Sequence, residues 1–342
     1  MLRVGINGMG RVGRAILRLC MQKDLYSDLH VVHVNGGADA ATTAHLLKYD
    51  SVHGRFPQNI EVENHGSRLR IGDTYFSYSS ERDPSVLCWG DLGVDFVIEA
   101  TGAFNSFSKS SVHLENGADH VLITAPAANA DATIVYGVNH GLLDGTQKII
   151  SGASCTTNCL SVVLDVLRKS VGVKKGRMTT VHAYTNDQPT LDSNHKDLYR
   201  SRAAAMSIIP TTTGATKAVD LIFPDMKGKL DGTAVRVPVP NVSMVDLVFM
   251  TEVPEVSVDR INTLFKDGCN GYMKGIIDYI TDPCVSVDFN HSDCTASIAS
   301  DQTQVTGGDL VRVLAWYDNE WGFSNRMCDI AMHIGRVIGK IS

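Results

Sequence analysis

What this 342-residue chain lacks narrows it first. It has no basic excess, since 31 Lys and Arg stand against 37 Asp and Glu, a net charge of −6. A mildly acidic chain has no overall field to draw it to nucleic acid or to an anionic membrane, so neither is an expected partner. Any anionic ligand must instead meet a local cluster of positive groups. No apolar run approaches the length of a membrane helix, and the opening Leu2-Arg3-Val4-Gly5-Ile6 reads as a strand rather than a signal peptide. The expected compartment is the cytoplasm. The 8 cysteines show no paired spacing, which suits free thiols in a reducing environment better than a disulfide frame. No His and Cys spacing suits a metal, so no metal site is expected. Internal repeats and low-complexity linkers are also missing, and the length is comfortable for two domains.

What is present centres on Ser151-Gly152-Ala153-Ser154-Cys155-Thr156-Thr157-Asn158-Cys159-Leu160. Apolar Ile149-Ile150 run into small residues, and then Leu160, Val162, Val163, Val166 and Leu167 recur with helical spacing. The pattern predicts strand, tight turn and helix, with Ser154 or a nearby Thr as N-cap. Cys155 would lie in the first helical turn, where unpaired amides and the helix dipole favour an anion. A thiol there should have a lowered pKa and act as a nucleophile. The plainer alternative is a small buried core cysteine, but the flanking Ser and Thr residues argue against a greasy pocket. Cys159, one turn on, reads as core packing.

The first half reads as a dinucleotide cradle. Leu2–Asn7 has the pattern of a buried strand, Gly8-Met9-Gly10-Arg11-Val12-Gly13 follows, and Val12, Ala15, Ile16 and Leu19 then keep helical spacing. Gly-x-Gly-x-x-Gly between strand and helix allows a tight turn, close approach of a pyrophosphate, and close packing of helix on strand. The helix N-terminus would face the phosphates. A second strand, Leu29–Val34, should end in an acid that grips the adenosine ribose of NAD. This chain has Asn35-Gly36-Gly37 there. Without that carboxylate a 2′-phosphate is not repelled, so NADP becomes admissible, and Gly36→Asp should shift preference toward NAD. Two more apolar strands end in Thr101-Gly102 and Thr124, which are cofactor contacts or ordinary turn chemistry.

In the second half, Arg177–Tyr184 alternates as a strand carrying His182, either a general base for the thiol or a structural histidine. The run Pro210-Thr211-Thr212-Thr213-Gly214-Ala215 leads through hydroxyls into a helix, a neutral cradle for an anion. Arg236 sits between apolar strand neighbours, which is costly unless it meets an anion or an ion-pair partner. Another strand, Gly308–Tyr317, precedes a last helix from Ser324 to about Ile341.

Together these stretches resemble phosphorylating glyceraldehyde-3-phosphate dehydrogenases over essentially the whole chain. The matching pieces are Asn7-Gly8 to Gly13, His45–Ser51, Ser154–Asn158, His182 with Tyr184–Asp187, Thr211–Lys217, Arg236, and Trp316–Glu320. The resemblance implies an α/β chain: a Rossmann domain over 1–153, completed by a C-terminal helix over 319–342, and an α+β catalytic domain over 154–318 with a mixed or antiparallel sheet. It implies oxidation of glyceraldehyde 3-phosphate, with inorganic phosphate, to 1,3-bisphosphoglycerate, a step of glycolysis and gluconeogenesis. Cys155 would be the nucleophile and His182 its base. Thr185 and Arg236 would bind the C3 phosphate, and Ser154, Thr156, Thr213, Gly214 and Arg200 the inorganic phosphate. On the cofactor side stand Asn7, Gly8, Gly10, Arg11, Val12, Gly13, Asn35, Gly36, Arg82, Thr101, Gly102, Thr124, Ser193 and Asn319.

Two departures point the same way: Gly36 replaces the ribose-gripping acid, and Ser193-Asn194 replaces the Leu-Pro of strictly NAD-dependent members. The implied cofactor is therefore NAD or NADP, and the implied assembly a homotetramer joined through the Ser193 segment. Ser286-Val287-Asp288-Phe289-Asn290-His291 looks instead like erythrose-4-phosphate dehydrogenases, but Thr211–Ala215 touches the anion site and weighs more. A non-catalytic binding protein on this fold is the remaining alternative.

Overall fold

A computed structural model describes residues 1–22 and 24–342. Contacts divide the chain into two units, Met1–Ser154 with Ser324–Ser342, and Cys155–Phe323.

In the first unit nine strands form one sheet among the described residues, in the order Ala132–Thr133, Ile149–Ser151, His120–Ile123, Phe96–Glu99, Leu2–Asn7, Leu29–Asn35, Thr74–Ser79, Arg68–Ile71, Ile60–Glu63. All neighbours pair in parallel as far as Thr74–Ser79, and the last two strands fold back antiparallel. Leu2, Val4, Ile6, Phe96, Val97 and Ile98 are fully buried, as continuous apolar runs in a doubly covered sheet must be. Strand order reverses at Leu2–Asn7, which pairs with Leu29–Asn35 on one side and Phe96–Glu99 on the other. The carboxyl ends of such strands form a ligand crevice.

The last helix spans Trp321–Val337, starting earlier and ending sooner than expected. Asp318 Oδ1 accepts the amides of Glu320 (2.9 Å) and Trp321 (2.8 Å), which caps the helix there. Gly339, with φ of +71°, lies just past its end. The part from Ser324 onward packs within the first unit, where the Tyr26 hydroxyl lies 3.1 Å from Asp329 Oδ1.

In the second unit the sheet has eight strands among the described residues. Lys175–Ala183 lies between a parallel neighbour, Leu230–Val237, and an antiparallel one, Ser243–Met250. The sheet is thus mixed, with antiparallel pairs in the majority. Helix Cys155–Ser170 packs on it, and Leu160, Val162, Val163, Leu164 and Leu167 are fully buried.

Candidate active site

In the first unit the glycine motif forms the turn its spacing calls for. Gly8 has φ of +104°, and a Cβ there would lie 2.6 Å from the Thr101 amide nitrogen. A Cβ on Gly13 would lie 1.9 Å from the Gly8 carbonyl oxygen, so both positions demand glycine. Around Gly10 no atom comes within 4 Å of the added carbon, which leaves its backbone open to a ligand. Helix Arg11–Gln22 begins there. Arg11 itself is turned aside into an ion pair with Asp50 (2.5 Å), and Val12 is partly buried in the first helical turn. An open Gly10 at a helix N-terminus fits a dinucleotide pyrophosphate.

Glu99 ties the neighbouring strand ends together. Its buried carboxylate accepts from Asn7 Nδ2 (2.6 Å), from the Thr101 amide (2.7 Å) and hydroxyl, and from His113 Nε2 (3.1 Å). Trp89 Nε1 donates to His113 Nδ1 at 3.0 Å, which leaves the ring proton on the nitrogen facing Glu99. Asn35 donates to Asn7 Oδ1 (2.7 Å) and to the Glu81 carbonyl (2.9 Å), so the segment carrying Arg82 is held against the end of the second strand. Arg82 is exposed and makes no ion pair among the described residues. Gly102 has φ of +75° and is exposed beside Thr101, and Thr124 donates its amide to the Glu99 carbonyl (3.0 Å). Glu99 escaped the sequence reading, although a lone acid closing an apolar strand was visible.

In the second unit Cys155 is the first residue of its helix, directly after Ser154 and after Ala153 at φ of +56°. Its Sγ lies 3.5 Å from His182 Nε2. His182 Nδ1 stands 2.7 Å from the Ala183 carbonyl and 3.1 Å from Arg236 Nη1, and the shorter contact to an oxygen that can only accept favours the proton on Nδ1. Nε2 therefore points a lone pair at the sulfur. Strand register sets Arg236 opposite His182, and its guanidinium reaches the Ala183 carbonyl (2.8 Å) and Thr185 Oγ1 (3.5 Å). Arg236 Nε is buried without a hydrogen-bond partner among the described residues, an unsatisfied donor that suits an anion.

Burial and the charge of Arg236 lower the His182 pKa to about 3, which keeps the imidazole neutral. Burial also pushes the Cys155 thiol up, against the pull of Arg236 and of the Thr156 amide and hydroxyl. The lowered thiol pKa expected from the helix terminus is thus corrected: desolvation outweighs it. The resting pair is thiol and neutral imidazole, poised for proton transfer as the sulfur attacks. Cys159 is fully buried, in keeping with a packing role.

Tyr317 is the residue that sequence reasoning passed over. It is buried edge-on to His182, and its hydroxyl joins Thr156 Oγ1 (2.8 Å) to Thr180 Oγ1 (3.0 Å). Ser243 is another: it accepts the Ala183 amide (3.0 Å) and donates to Asn319 Oδ1 (2.8 Å). That leaves the Asn319 NH₂ as the outward donor.

Arg200 lies in a second cluster and is already engaged. It donates to Asp187 (2.8 Å), Thr211 Oγ1 (2.9 Å) and the Thr212 carbonyl (3.1 Å). Thr213 Oγ1 accepts the Ala215 amide (3.1 Å), and Gly214 is the N-cap of helix Ala215–Ile222. Ser193 is exposed, with its amide on the Ser201 carbonyl (2.9 Å).

Two family models match the chain: glyceraldehyde 3-phosphate dehydrogenase, NAD binding domain, over residues 2–107, and glyceraldehyde 3-phosphate dehydrogenase, C-terminal domain, over residues 154–319. The chain belongs to the glyceraldehyde-3-phosphate dehydrogenase family. Relatives of that name include one from Cereibacter sphaeroides, 49% identical over 98% of this chain and 99% of its own. The plasmid-borne form of Cupriavidus necator is 51% identical over 97% and 98%, and the protein of Geobacillus stearothermophilus 50% over the same shares. The Cys155–His182 pair and the Gly8 turn fall within the two matched segments. Among the described residues no helix is long and apolar enough to cross a membrane, and all eight cysteines are free.

Proposed function

We propose that the chain catalyses the phosphorylating oxidation of glyceraldehyde 3-phosphate, with NAD or NADP, through a thioester on Cys155. The observation that carries this reading is the 3.5 Å approach of Cys155 Sγ to His182 Nε2, with Nδ1 of the same ring on the Ala183 carbonyl. As the sulfur adds to the aldehyde carbon, its proton passes to His182 Nε2 and on to the developing alkoxide, which gives a hemithioacetal and a neutral imidazole again. A dinucleotide held at the Gly8–Gly13 turn would supply the acceptor for the hydride of that carbon. His182 takes the hydroxyl proton of the hemithioacetal as the carbonyl of the thioester forms. Inorganic phosphate then cleaves the thioester and restores the thiol.

Arg236, with its unsatisfied Nε and with Thr185 beside it, supplies the cation for the C3 phosphate. Thr213, Gly214 and the Thr156 and Ser154 positions supply neutral donors for inorganic phosphate, and Arg200 must trade a carboxylate for it. Asn319 presents its NH₂ to the carboxamide of the nicotinamide. Gly36 supports use of either dinucleotide, and exposed, unpaired Arg82 supports the 2′-phosphate form. Exposed Leu191, Leu198, Met206 and Ile208 flank Ser193 and support a homotetramer joined through this segment. Free thiols support the cytoplasm.

Turnover with aldehyde, dinucleotide and phosphate tests the reading. Cys155→Ala should abolish it while the dinucleotide still binds, and omitting phosphate should stall it after one acylation. Turnover that survives Cys155→Ala would overturn the thioester route. Faster turnover of erythrose 4-phosphate would reassign the substrate.

A further inference from the structure

Gly36 has more than a missing carboxylate. Its amide is fixed on the Ser79 carbonyl (2.9 Å), and a Cβ built on it would stand 2.1 Å from Tyr78 Oη and 3.0 Å from Tyr78 Cζ. The phenol is not free to swing away. It is buried, its strand pairs Tyr78 with Val34, and its hydroxyl lies 2.6 Å from the Ala38 carbonyl and 2.7 Å from Thr43 Oγ1. A carbonyl can only accept, so the phenol proton goes to Ala38 and the Thr43 proton goes to Tyr78. The corner is therefore neutral, self-satisfied and filled.

We propose that Tyr78 is a specificity-determining residue for the dinucleotide: its hydroxyl occupies the space that any side chain at position 36 must enter, and its bond to Ala38 fixes the Gly36-Gly37-Ala38 turn. This rests on the reading above that the end of strand Leu29–Asn35 receives the adenosine ribose. A carboxylate at position 36 needs room as well as the right sequence position, and the expectation that Gly36→Asp alone favours NAD is corrected accordingly. Tyr78 lies 42 positions away from Gly36, so sequence spacing gives no hint of the obstruction.

The test is equilibrium binding of NAD and of NADP to the purified, cofactor-free full chain, followed by protein fluorescence, together with thermal unfolding. Gly36→Asp alone should lower Tm and leave the ratio of the two Kd values nearly unchanged. Gly36→Asp combined with Tyr78→Val should recover Tm relative to Gly36→Asp and shift the Kd ratio about tenfold toward NAD, the worth of one charge-assisted hydrogen bond. The proposal is overturned if Gly36→Asp alone keeps Tm and shifts the ratio as far as the double variant, or if the double variant shifts it no further than the single one. Should the double variant not fold, Gly36→Ala replaces Gly36→Asp: its loss of Tm should be present with Tyr78 and absent with Tyr78→Val, and an equal loss in both backgrounds overturns the proposal. A wild-type chain that binds no NADP would sink the dual-cofactor reading. The Tyr78 argument would then still stand wherever the double variant binds NAD more tightly than Gly36→Asp does.

Discussion

At the scale of single residues the chemistry turns on which nitrogen of His182 carries a proton. The Ala183 carbonyl holds the Nδ1 proton, so Nε2 is the acceptor for the thiol, and burial together with Arg236 keeps it unprotonated at neutral pH. Because burial raises the Cys155 thiol, sulfur reactivity has to be drawn from that acceptor rather than from a standing thiolate. His182→Asn should therefore slow alkylation of Cys155 by iodoacetamide at pH 7, and lower kcat by about 10²–10⁴-fold, the usual contribution of a general base. Loss of under tenfold in both measurements would show that the imidazole is not the proton acceptor. Arg236, by contrast, shows in the local pattern only as an expensive cation in an apolar strand, and its phosphate role comes from the family resemblance alone. The in-register pairing of its strand with that of His182 brings the two together, and register between strands 54 residues apart cannot be read from composition.

At the scale of elements, local pattern sufficed wherever a helix or strand carries its own signals. The glycine turn, the strand–turn–helix around Cys155 and the strand of His182 were all readable from glycine spacing, small-residue runs and apolar periodicity. The last helix shows where such signals mislead. The expected start at Ser324 leaves Gly322 outside the helix, yet Gly322 lies in its first turn. It is glycine because a Cβ there would meet the Cys294 carbonyl oxygen at 2.5 Å, a tertiary contact with no local trace. Buried Asp318 caps that end, accepting the amides of Glu320 and Trp321 on Oδ1 and the amide of His291 on Oδ2. Asp318→Ala should cost about 1–2 kcal/mol in urea unfolding, as the loss of an N-cap does. A change below about 0.5 kcal/mol, the size of a neutral surface substitution, would mean that the helix start does not depend on it. Val242, a β-branched residue at φ of +69°, immediately precedes Ser243, so the bridge from Ala183 to Asn319 is held by backbone that a less constrained chain would relax.

At the scale of the whole molecule, burial of neutral imidazoles makes stability depend on acidity. His33 lies between Ser77 and Ser79 with its pKa lowered to about 4 by burial, and His182 is lowered to about 3 by burial and Arg236. His120, His140 and His333 are lowered as well, each chiefly by burial. In the unfolded chain each of these takes up a proton as pH falls through about 6.5, while the folded chain does not until pH nears the lowered value. Protonation then favours the unfolded state, so stability is complete above pH 7 and declines as pH falls from 6.5 toward 4. Between pH 7.5 and 5.5, His33 and His182 alone should remove about 2–3 kcal/mol, at roughly 1.4 kcal/mol per pH unit for each below its unfolded pKa. Carboxylates held low by hydrogen bonds, such as Asp39 and Asp144, begin to lose their stabilisation only near their ordinary value of 3.8, well below the interval from pH 7.5 to 5.5. Urea unfolding midpoints at the two pH values measure the decline, and His33→Gln with His182→Asn should flatten it. A wild-type midpoint that holds steady from pH 7.5 to 5.5 would mean that these imidazoles accept protons in the folded state, and the assignment of His182 as a neutral acceptor in the resting protein would fall with it.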